Sequence, residues 1–104
     1  MSIAKSATVH ETARVDDSAY IGPHVKVEEG VHIGAFVVIC KRAHIKSRAW
    51  ISKGATIGDG AVIGEDAYVR ALARVAANAV IGAKGIVEAV LQPPSGGTEE
   101  GERP

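Results

Sequence analysis

The chain predicts an all-β solenoid of short stacked strands, and three observations carry that expectation. Ile or Val stands at every sixth position from 3 to 87, fifteen places without a miss. The residue four places after each of these is small or aliphatic: Ala at 7, 13, 19, 43, 49, 55, 61, 67, 73 and 79, Val at 25, 31 and 37, then Gly85 and Leu91. The chain holds 23 Ile plus Val, so about two-thirds of them share one of six possible phases, which marks a true internal repeat.

A period of six excludes a helical face, because a 3.6-residue turn would smear the aliphatics around the cylinder. A strand puts residues four and six apart on one side, since side chains alternate. Each hexad is therefore a short strand and a bend: positions one and five point inward, and the residue before each aliphatic points outward. The stretch IGDGAVIG, residues 57–64, states the rule most plainly. Glycine follows the aliphatic at 22, 34, 58, 64 and 82, where the bend is expected to use its freedom to take positive φ. No single hexad can bury its apolar side, so the units must stack.

Taken in order, the repeat opens at once and defines one domain over 1–92. Pro93 and Pro94 cannot donate to a ladder and should stop the last strand. The segment SGGTEEGERP has no apolar residue to bury, so 93–104 is expected to be a flexible tail. The formal net charge is zero, which gives no global field to attract nucleic acid or a membrane surface. Apolar runs are too short to span a bilayer, and no signal peptide is expected. A single cysteine forms no intramolecular disulfide and suits a cytoplasmic location. Cys40 falls where other hexads carry Gly, Ala or Ser and reads as a small turn residue.

The hexad of an aliphatic, often Gly, two variable residues, a small residue and one more resembles the repeat of the transferase hexapeptide family, over residues 3–92. The opening MSIAKSATVHETARV is also similar to the start of UDP-N-acetylglucosamine acyltransferases. The family resemblance implies a left-handed parallel β-helix with three hexads to a triangular coil, hence five coils, and a homotrimer with parallel axes.

Coils of this size place residue i below i+18, which turns the sequence into columns. Lys41, Arg42, Lys46, Arg48 and Lys53 concentrate in the third coil. Lys41, Arg42, Lys46 and Arg48 are candidates for holding the phosphates of coenzyme A or a nucleotide sugar. The competing expectation is a ladder of exposed ion pairs: Lys46 on Glu28, Lys41 under Asp59, Asp66 between Arg48 and Lys84, and Arg70 with Glu88. One outward column reads Arg14, His32, Trp50, Tyr68, Ile86, a neighbouring face carries Val62 and Val80, and a bend column carries Phe36, Leu72 and Val90. Exposed apolar residues on a flat sheet call for a cover. His32, Trp50, Tyr68, Ile86, Val62 and Val80 are therefore the expected trimer interface.

The four imidazoles, His10, His24, His32 and His44, do not stack on one another, so no metal site is expected. Family acyltransferases need a histidine base near the acceptor. His44 and His32 are the candidates, although the His, two residues, His, Asp pattern of the lipid A enzymes is absent. Nor does a protruding loop or helical segment interrupt the hexads to wall a pocket. The regularity favours a self-associating structural scaffold, as in an idealised or engineered repeat, that needs no cofactor. The alternative is an acyltransferase using an acyl-coenzyme A thioester at subunit junctions.

Overall fold

The computed structural model describes residues 2–88, and all of their regular structure is strand. Three parallel sheets of five two-residue strands form the sides of a left-handed parallel β-helix of five triangular coils. The first face stacks β1 (Ser2–Ile3), β4 (Tyr20–Ile21), β7 (Val38–Ile39), β10 (Thr56–Ile57) and β13 (Arg74–Val75). The second stacks β2 (Thr8–Val9), β5 (Lys26–Val27), β8 (His44–Ile45), β11 (Val62–Ile63) and β14 (Val80–Ile81). The third stacks β3 (Arg14–Val15), β6 (His32–Ile33), β9 (Trp50–Ile51), β12 (Tyr68–Val69) and β15 (Ile86–Val87). Every strand pairs in the i to i+18 register, for example Ile45 with Ile63 and Tyr68 with Trp50.

The interior follows from that register. Each repeat aliphatic from Ile21 to Val75 and each partner from Ala19 to Ala73 is at most 3% exposed, and no described polar or charged residue is buried. The second coil carries Val25, Val31 and Val37 where the coils above and below carry Ala, and all three are buried. Leu91, Val90 and the expected tail lie outside the described residues.

The bends correct one expectation. Positive φ occurs not at the residue after the aliphatic but three residues past the aliphatic, at Gly30, Gly54 and Gly60 and at eight non-glycine residues that include Phe36, Arg42, Arg48 and Leu72. Together with bonds such as Ala61 N–H to Gly58 O (3.2 Å) and Ala67 N–H to Gly64 O (3.2 Å), this is a type II turn. Glycine at 58 and 64 answers a different demand. A Cβ there would stand 2.6 Å from the backbone of the coil above, at Ala77 N and at the Gly82 carbonyl carbon.

The first coil is built differently. Its corner residues Ser6, Thr12 and Ser18 do not have positive φ, and their hydroxyls accept the corner N–H groups of His24 (3.0 Å), Gly30 (3.0 Å) and Phe36 (2.9 Å). Higher in the solenoid a carbonyl does this work, as in Arg42 N–H to Pro23 O (2.9 Å) and Gly60 N–H to Lys41 O (2.9 Å). Three hydroxyl residues at equivalent corners thus tie the first coil to the second.

Candidate functional site

The second face carries the outward column Thr8, Lys26, His44, Val62, Val80, polar towards the N-terminal coils and apolar above. His44 opens β8, and its half-exposed imidazole reaches diagonally down to Glu28, the residue after β5 on the coil below. Nε2 of His44 meets Oε2 of Glu28, while Ser47 donates its hydroxyl to Oε1 of the same carboxylate at 3.1 Å. These hydrogen bonds, led by the one from His44, hold the Glu28 carboxyl below its ordinary value. An ionised carboxylate only accepts, so Nε2 carries a proton, and in the neutral ring that leaves the lone pair on Nδ1. Glu28 and Ser47 line an open groove of about 350 Å³ together with Thr8, His10, Lys26, Val27 and Glu29, and His44 stands behind the carboxylate rather than in the groove wall. A carboxylate that fixes one ring nitrogen and frees the other is the arrangement of a histidine base.

The remaining sequence candidates separate. His32 lies on the third face with its ring stacked on Trp50, centroids 4.0 Å apart and planes within 5°. Arg48 is engaged on the second edge, between the second and third faces, by Asp66 at 3.1 Å and Glu65 at 3.8 Å. Arg70 meets Glu88 at 3.4 Å. Lys46 does not pair with Glu28, because the carboxylate is taken by His44 and Ser47, and Lys84 forms no ion pair with Asp66. Lys41 and Arg42 sit exposed on the first edge, between the first and second faces, without an ion pair to a described carboxylate. Burial first and the charge of nearby Asp59 second push the Cys40 thiol up, away from nucleophilic character.

Of the expected interface, His32, Trp50, Tyr68 and Ile86 share the third face, whereas Val62 and Val80 stand on the second. Trp50, Tyr68, Ile86 and Val80 are exposed, and Tyr68 also accepts a hydrogen bond from Ser52 (3.2 Å). Phe36 and Leu72 project from the third edge, between the third and first faces, and Tyr20 and Val38 continue the apolar surface on the first face. All four aromatic residues thus lie away from the second face that carries His44. Among the described residues, no three metal-binding side chains converge. No helix there is long and apolar enough to cross a membrane.

Residues 3–92 match the family described as the GMPPB C-terminal domain. The chain belongs to that family. In solved structures its fold is that of hexapeptide-repeat acetyltransferases. A histidine-to-asparagine mutant of perosamine N-acetyltransferase from Caulobacter crescentus, in complex with CoA and GDP-perosamine, superposes with a TM-score of 0.72 at 21% identity, covering 86% of this chain and 48% of that one. The acetyltransferase domain of PglB from Neisseria gonorrhoeae FA1090 matches at 24% identity and a TM-score of 0.45, over 91% of this chain and 54% of that one. This member of the GMPPB C-terminal domain family thus spans about half the length of the structures it resembles. No curated protein matches it.

Proposed function

We propose that the protein transfers an acyl group from a coenzyme A thioester to an amine or hydroxyl acceptor, with His44 as general base and Glu28 as the residue that orients it. The observation that carries this reading is the Glu28 carboxylate held between His44 Nε2 and the Ser47 hydroxyl beside an open groove. In the reaction, the acceptor nitrogen or oxygen attacks the thioester carbonyl carbon and gives its proton to Nδ1 of His44. The C–S bond then breaks, and the imidazolium returns that proton to the departing thiolate. The fold shared with hexapeptide acetyltransferases supports the reading. A thiol-release assay with acetyl-CoA and a panel of amines tests it. His44→Ala should lose about 10²-fold or more in rate, and Glu28→Gln should lose less while keeping the same acceptor preference. Turnover equal in wild type and His44→Ala contradicts it.

Self-association is the companion reading, favoured by the apolar belt formed by Trp50, Tyr68, Phe36 and Leu72. In a homotrimer with parallel axes this belt is covered, and a neighbouring subunit walls the open groove. Trp50→Glu is expected to shift the protein to a smaller species in light scattering with its β-sheet circular dichroism intact. An unchanged mass argues against this interface.

A further inference from the structure

The net charge of zero hides a segregation of charge by edge. The second edge mixes signs: Glu11, Glu29, Glu65 and Asp66 accompany Arg48 and Lys84, and Arg48 is paired there. The first edge differs. Its lower three coils present Lys5, His24, Lys41 and Arg42, and Lys26 stands beside them at the start of β5. All five are exposed, and among the described residues Asp59 is the one acid on this edge, one coil above Lys41 and in no ion pair with it. Directly above Arg42 the column continues with Gly60, so no side chain from that coil covers the guanidinium.

This edge adjoins the candidate site. Arg42 precedes His44 by two residues, which limits their Cα separation to about 7 Å. Lys26 is the register partner of His44 one coil below. An anion bridging Lys41, Arg42 and Lys26 therefore sits against the open face on which the imidazole stands.

We infer that the first edge is a phosphate-binding site, in which Lys41 and Arg42, with Lys26 and His24 beside them, grip a diphosphate or phosphate monoester whose remaining part lies across the second face towards His44. The purpose of that ligand rests on the acyl-transfer reading, whereas the binding itself does not. Arginine offers paired N–H donors to phosphate oxygens, and lysine adds charge without demanding a fixed geometry. Phosphate appears both in a coenzyme A donor and in a nucleotide-linked acceptor, so the shared chemistry defines the site.

Calorimetric titration of the whole chain with inorganic diphosphate, ADP and coenzyme A tests the assignment, with amide chemical shifts followed by NMR. Saturable binding that weakens as salt rises is expected, with shifts centred on residues 41–44. The double variant Lys41→Gln with Arg42→Asn should bind about tenfold more weakly. Asn tolerates the positive φ of 62° at position 42, so this variant keeps its fold. Arg48→Gln, on the second edge, should bind as the wild type does. Coenzyme A binding more tightly than ADP identifies the donor as the ligand, and equal affinities identify a nucleotide-linked acceptor. Absence of binding overturns the proposal, as does equal affinity in the double variant or an equal loss in Arg48→Gln. If the double variant loses diphosphate while His44→Ala leaves turnover untouched, the phosphate site stands and the acyl-transfer reading fails.

Discussion

Ile57→Asp is expected to unfold the solenoid under conditions where the wild type is fully folded. Ile57 is 0% exposed, pairs with Ile39 below and Val75 above, and lies in an interior without a buried polar or charged partner. A carboxylate placed there has nothing to accept from, and the substitution also removes the packing of a large aliphatic. The combined cost is about 4–5 kcal/mol or more, a large share of the stability of an ordinary domain. Coils touch only their neighbours, so a break between the third and fifth coils removes the support of both halves. Lys53→Asp, at an exposed corner, should cost no more than about 0.5 kcal/mol. Thermal melts followed by circular dichroism compare the two. Similar midpoints for Ile57→Asp and wild type would refute the packing described above.

Gly58→Ala is the second large effect, and it separates two explanations of the repeat glycines. Gly58 does not have positive φ, so backbone strain predicts a neutral or slightly stabilising change. The close approach of coils predicts the opposite. The new Cβ would stand 2.6 Å from Ala77 N and 2.8 Å from both the Ala76 carbonyl carbon and the Val75 carbonyl oxygen. All three are backbone atoms, and Val75 O is held by the inter-coil hydrogen bond from Gly58 N–H (2.8 Å), so no rotamer change relieves the clash. A loss of about 2–3 kcal/mol is expected. Gly22→Ala, where the nearest atoms stand at 3.1 Å, should cost clearly less. Equal denaturation midpoints for Gly58→Ala and wild type would remove steric crowding as the reason.

The same contrast shows what the sequence disclosed. Two interior positions per hexad give the faces, the register and the core, because burial of Ile and Ala at fixed spacing admits one side-chain direction on a pleated strand. Ion pairs within a column were only partly legible: Arg48 with Asp66 and Arg70 with Glu88 form, whereas Lys46 with Glu28, Lys41 with Asp59 and Lys84 with Asp66 do not. The Glu28–His44 contact was not. It joins residues 16 apart, off the vertical, and depends on how far two long side chains lean across a face. Ser47 adds a competitor for the carboxylate that a column of single residues cannot represent. The hydroxyls of Ser6, Thr12 and Ser18 were visible at equivalent corners, yet their meaning needed the missing positive φ in the first coil.

Imidazole nitrogen NMR of His44 is the most direct test of the central claim, that Glu28 fixes this histidine for proton transfer. Above the pH at which the ring is neutral, the account predicts that the wild type holds the proton on Nε2 and that Glu28→Gln loses this preference. A ring protonated on Nδ1, or a tautomer ratio indifferent to residue 28, would contradict it.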